Sequence, residues 1–113
     1  MSSSAHDRMK LCSTDSLPPG TMKRFPHGSS DILLVNLSGT IVALSNWCTH
    51  ESADLSKGDI QDGNCVVCPD HAARFDLRTG DVLEGPIGEE KNAISKLQTF
   101  EVSIDHGDVY VNV

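Results

Sequence analysis

Aromatic side chains are scarce: Phe25, Trp47, Phe75, Phe100 and Tyr110 are the only Phe, Trp or Tyr residues in 113. A core drawn from this chain must be built mainly of Val, Ile and Leu, which favours strands. Long apolar runs are lacking too, none outlasting Ile32–Val35, far short of a membrane-spanning helix. Residues 1–20 hold no apolar stretch of the kind a secretory signal needs, so the expected location is cytoplasmic. Positive charge is in short supply, with nine Lys and Arg against sixteen Asp and Glu and a net charge of −7. Phosphate binding needs concentrated basic residues, and these are scattered, so no nucleic-acid partner is expected. An acidic surface can instead steer the molecule toward a basic patch on another protein, or serve solubility alone. No internal repeat is present.

What remains fits one small domain, since 12.2 kDa buries enough surface for one core and not for two. Residues 1–18 carry neither helical nor strand periodicity and read as a flexible leader, with Pro18-Pro19-Gly20 turning into a domain over 19–113. Short apolar runs separated by turn residues predict strands at Thr21–Phe25, Ile32–Leu37 and Thr40–Ser45, the last two joined through Ser38-Gly39. Further short strands are expected at Asp59–Gln61, Cys65–Val67, Arg74–Leu77 and Asp81–Leu83, and longer ones at Leu97–Ile104 and Asp108–Val113 around an Asp105-His106-Gly107 turn. Only Glu89–Lys96 reads as a helical turn. The chain is therefore all-β, with a basal sheet made from both ends and an inserted loop-rich segment over about 46–90.

That segment holds the chemistry. Cys48-Thr49-His50 and Cys68-Pro69-Asp70-His71 are separated by 17 residues, and each places a thiolate beside an imidazole. Four cysteines in a reducing compartment point to metal rather than disulfides. A Cys₂His₂ zinc shell is one candidate, although structural zinc motifs usually group Cys with Cys and His with His. The order Cys, His, Cys, His is explained physically if each loop gives its Cys to one iron and its His to the other of a sulfide-bridged diiron core.

This pattern, with Ala73-Arg74-Phe75-Asp76-Leu77-Arg78-Thr79-Gly80 and Gly85-Pro86 after it, resembles the Rieske iron–sulfur family over about residues 20–113. The resemblance implies an antiparallel β-sandwich or barrel with an inserted cluster-binding subdomain, and one [2Fe-2S] cluster per chain. It implies Cys48 and Cys68 on the buried iron, His50 and His71 on the outer iron, and Gly85-Pro86 as a loop covering the cluster. Many relatives carry Trp and Gly where this chain has Asp70 and Ala72. High-potential members have two further cysteines joined in a disulfide, and this chain has Ala53 and Asp70 there. Those members also donate Ser and Tyr hydroxyls to the cluster, where this chain has Ala73 and Phe75. A potential at the low end of the family span of about −150 to +300 mV is therefore expected.

Too little chain follows Glu89 for a second, mononuclear iron domain, and His6, His27 and His106 read as surface residues. The resemblance thus implies a carrier rather than an enzyme. It looks like the monomeric ferredoxin of a ring-hydroxylating dioxygenase system, taking electrons from a flavin-dependent NAD(P)H ferredoxin reductase to a terminal Rieske oxygenase acting on an aromatic hydrocarbon, away from any membrane. Its docking surface would include Glu51, Asp70 and Pro86. The alternatives are a Rieske-fold small subunit of a larger oxidoreductase such as nitrite reductase, and a zinc interaction module. Cys65 is expected to pack inside its strand as a small hydrophobe, Cys12 to be an incidental thiol of the leader, Trp47 to pack beneath its loop, and Glu89-Glu90-Lys91 to form a solvated turn.

Overall fold

A computed structural model describes residues 8–27, 31–49, 53–70, 72–85, 88 and 94–112. The described residues form ten strands and two short 3-10 turns. Strands β1 (Arg8–Ser13), β2 (Met22–Phe25), β3 (Ile32–Leu37), β4 (Thr40–Ser45), β9 (Thr99–Asp105) and β10 (Asp108–Asn112) make one antiparallel sheet in the order β1-β10-β9-β4-β3-β2. Strands β5 (Asp59–Gln61), β6 (Cys65–Val67), β7 (Arg74–Asp76) and β8 (Val82–Glu84) make a second, in chain order. The large sheet joins both ends of the chain through β4 and β9, which pair at Ala43 with Phe100 and Leu44 with Thr99.

Strand β3 is the hinge of the packing. All six of its residues are buried, because successive side chains point to opposite faces and both faces are covered. Leu33, Val35 and Leu37 join an apolar cluster with Val66 and Phe75 of the small sheet. Ile32 and Leu34 join a separate cluster with Leu17, Val109 and Val111. The polar member, Asn36, is satisfied: its Nδ2 donates to the Leu17 carbonyl at 2.8 Å, and its Oδ1 accepts from the Gly39 N–H at 2.7 Å.

From residue 8 onward the expected leader is instead ordered structure. Arg8–Ser13 is an edge strand paired with β10 from Arg8 opposite Asn112 to Ser13 opposite Asp108, and Leu17 is fully buried. A bulge between Lys10 and Cys12 leaves Leu11 unpaired, so Met9, Leu11 and Cys12 all lean on the second cluster. Cys12 is thus part of this packing rather than of a leader. Residues 1–7, with His6, lie outside the described residues. So do residues 89–93 of the expected helical turn, including Glu89-Glu90-Lys91, while 94–96 are not helical.

Candidate metal centre

Two loops leave the sheets at corresponding points. The Cys48 N–H donates to the Ala53 carbonyl at 2.9 Å, and the Cys68 N–H donates to the Ala73 carbonyl at 2.8 Å. One position outward on each side, Trp47 bridges Asp54 and Val67 pairs with Arg74, both antiparallel. Each loop is therefore a hairpin with the same neck: the residue before the cysteine faces the sixth residue after it. The second loop is pinched once more by the Ala72 N–H to the Cys68 carbonyl at 3.1 Å, with Ala72 held at φ 60°.

Cys48 is 2% exposed and Cys68 is 3% exposed, and both belong to the apolar cluster that includes Ala53, Ala73 and Phe75. None of the four cysteines forms a disulfide. Two buried thiols set at equivalent points of two hairpins fit a soft metal that takes thiolate ligands. His50 and His71, the other two expected donors, lie outside the described residues, as do Glu51 and Pro86. Among the described residues no three His, Cys, Asp or Glu side chains that could hold a metal ion gather. Asp70 is exposed, while Ala73 and Phe75 are buried in the cluster that holds Cys48 and Cys68.

Two residues of the necks escaped sequence reasoning. Asp54 caps the 3-10 turn Leu55–Lys57: its Oδ1 accepts from the Ser56 hydroxyl at 2.6 Å, from Asn46 Nδ2 at 2.8 Å and from the Ser56 N–H at 3.1 Å. Its Oδ2 accepts from Arg24 Nη1 of β2 at 2.8 Å. Burial pushes the Asp54 carboxyl up, yet the Ser56 and Asn46 hydrogen bonds and the Arg24 charge outweigh it and hold the group below the ordinary carboxylate range. Arg24 also reaches the Asp31 carboxylate at 3.5 Å and lies 5.3 Å from the half-buried Trp47 ring. On the other loop, Arg74 Nη2 donates to Asp62 Oδ2 at 3.1 Å, and Nη1 lies 3.6 Å from Glu84 Oε1. The signal for both was a charged residue six positions after each cysteine.

Cys65 corrects an expectation in part. It is buried, but it is in neither apolar cluster. Val66 takes the core face of β6, so Cys65 points to the opposite face, where its thiol donates to the Gln61 carbonyl at 3.3 Å and Arg74 Nη2 lies 3.5 Å from the sulfur. His106 is an exposed turn residue at φ 53°, and His27 is half-buried beside Asp31.

The profile of the Rieske [2Fe-2S] domain matches residues 7–101. The chain belongs to the Rieske [2Fe-2S] family. As a Rieske protein it takes a [2Fe-2S] cluster as its cofactor, in keeping with the thiol pair described above. Among its relatives, the biphenyl 2,3-dioxygenase ferredoxin component of Rhodococcus jostii is 36% identical over 104 residues, covering 92% of this chain and 91% of that protein. The 3-phenylpropionate/cinnamic acid dioxygenase ferredoxin subunit of Photorhabdus laumondii is 33% identical, covering 91% of each chain. A chain in the complex of reduced oxygenase and oxidized ferredoxin in carbazole 1,9a-dioxygenase superposes with a TM-score of 0.83 at 30% identity, over 93% of this chain and 92% of that one. A nitrite reductase small subunit of Mycobacterium tuberculosis superposes with a TM-score of 0.79 at 20% identity over 97% of each chain, a likeness of fold alone.

Proposed function

We propose that this Rieske protein is a ferredoxin that carries single electrons to a terminal ring-hydroxylating oxygenase, with its cluster held by Cys48 and Cys68 on one iron and His50 and His71 on the other. The observation that carries this reading is the pair of matched hairpins bringing Cys48 and Cys68 into one buried cluster. Nearly full-length similarity to ferredoxin subunits of dioxygenase systems supports it, and the relative structure that joins a ferredoxin to its oxygenase supplies the partner class. The electron donor in this reading is a flavin-dependent NAD(P)H reductase. In this reading the carrier works as a cytoplasmic monomer; among the described residues no helix is long and apolar enough to cross a membrane. A net charge of −7 favours basic docking faces on both partners and an association rate that falls as salt rises.

The test is reduction of a purified terminal oxygenase by the purified, iron-loaded protein in the presence of reductase. Electron delivery without a stable complex supports a carrier, whereas co-purification in fixed stoichiometry with a larger oxidoreductase overturns it. The midpoint potential should lie below about +100 mV, because no hydroxyl is offered at positions 73 and 75. Adding one there, by Ala73→Ser or Phe75→Tyr, should raise it by about 60 mV, the shift of a one-electron couple when the reduced state gains about tenfold preference from one new hydrogen bond. Redox titration of the three proteins checks both statements.

A further inference from the structure

The two ligand loops share a neck but not a fastening. The first is tied to the large sheet: Asn46, fully buried, donates its N–H to the Asp31 carbonyl at 2.9 Å and accepts from the Leu55 N–H at 3.0 Å. Its side chain meets Asp54, and Asp54 meets Arg24 of β2. Among the described residues, the side-chain hydrogen bonds and ion pairs at the second neck lie within the small sheet. There Arg74 reaches from β7 to Asp62 in the turn after β5, to Cys65 on β6 and to Glu84 on β8, so one guanidinium spans all four strands or their turns. Arginine suits this place because its planar fork reaches several partners at once, which an ammonium cannot.

We propose that Asp54 and Arg74 are positioning residues that lock the necks of the two ligand loops independently, Asp54 against the large sheet and Arg74 within the small one. This rests on the assignment of Cys48, His50, Cys68 and His71 as ligands. If each loop gives its Cys to one iron and its His to the other, tilting either loop moves one ligand on each iron. A carrier that must keep its ligands still in both oxidation states needs both necks fixed, and it needs them fixed by side chains that are not themselves ligands. Opposite charges at the two equivalent positions also let each find its own partners: Asp54 selects Arg24, and Arg74 selects Asp62 and Glu84.

The geometry allows a clean dissection. Asp54→Asn keeps Oδ1, which caps the turn and meets Asn46, and loses only the Oδ2 contact to Arg24. Arg74→Gln loses the guanidinium contacts to Asp62, Cys65 and Glu84. Hydrogen exchange at the Cys48 and Cys68 amides, each bonded across its own neck, reads the loops separately in the full-length protein. In Asp54→Asn, exchange at Cys48 should rise about tenfold with Cys68 within about twofold of the wild type, as loss of one charged hydrogen bond implies, and Arg74→Gln should give the reverse. Iron release to a chelator should quicken in both. Arg24→Lys, the milder variant that retains a cation toward Asp54, should fall between wild type and Asp54→Asn at Cys48. A general weakening of the fold would instead raise exchange at both cysteines together, and that result, or no change at Cys48 in Asp54→Asn, overturns the proposal. Because the amide readout does not need the cluster, the two failures are distinct: wild-type protein without bound iron overturns the ligand assignment, and exchange that ignores the loop overturns the locks.

Discussion

Cys48→Ser and Cys68→Ser should each strip the protein of both irons and of its visible colour, while Cys65→Ser and Cys12→Ser should leave both in place. The first pair are buried in one apolar cluster at the equivalent point of two hairpins, where a metal that takes thiolate ligands would stabilise the deprotonated sulfur. Serine presents a hard oxygen whose proton is held too tightly for it to replace thiolate on iron at neutral pH. Cys65 is only three residues from Cys68, but strand alternation puts its sulfur on the far face of the small sheet beneath Arg74. Cys12 lies in β1 against the other cluster. Loss of the metal should also be local in its effect, because metal binding and local folding are linked. The residues around 46–76 should lose amide protection, while Val109 and Val111, packed in the second cluster on the opposite face of β3, should keep theirs. Iron and sulfide analysis with residue-resolved exchange decides the matter. A Cys48→Ser protein that retains both irons would remove Cys48 from the ligand set.

Why some of this was legible in the sequence and some was not follows from range. Strands β3, β4, β5 and β6 fall on the residues expected for them, since apolar runs bounded by Ser38-Gly39 and by Asp62-Gly63-Asn64 are local signals that fix both ends. The all-β class and the sheet built from both chain ends followed from the same runs. Strand β1 was lost because Arg8-Met9-Lys10-Leu11-Cys12-Ser13 alternates only until its bulge, after which two inward residues stand side by side. The paired Cys and His motifs pointed to a metal centre through their spacing and their resemblance to the family motif. The devices that hold their loops did not, because Asp54 finds its cation 30 residues upstream and a lone aspartate before Leu55 looks like an ordinary cap. Cys65 was half legible: burial followed from its place in a strand, but its face had to be read from Val66.

Gly58→Ala should damage the fold and the site together, although nothing in the backbone conformation of Gly58 calls for glycine. Its φ of −84° is open to any residue. The requirement is space, since a Cβ there would sit 2.0 Å from the Val67 carbonyl oxygen and 3.3 Å from that of Leu55. The obstacle is backbone on both sides, so no side chain can swing away. Val67 is the last residue of β6, pairs with Arg74 across the second neck and is followed directly by Cys68. Relief of the clash by moving β6 would therefore shift the very peptide from which the second ligand loop springs. Overpacking of this kind costs about 3 kcal/mol or more, a large share of the roughly 5–15 kcal/mol that a small domain has. Gly63→Ala is the control: it takes a positive φ of 69° but meets nothing within 4 Å, so it should cost only about 1 kcal/mol of backbone strain and leave iron binding intact. Chemical denaturation and iron content, measured on both variants, separate the two effects. Equal losses in Gly58→Ala and Gly63→Ala would mean that the approach of Val67 to Gly58 is not what positions the second loop.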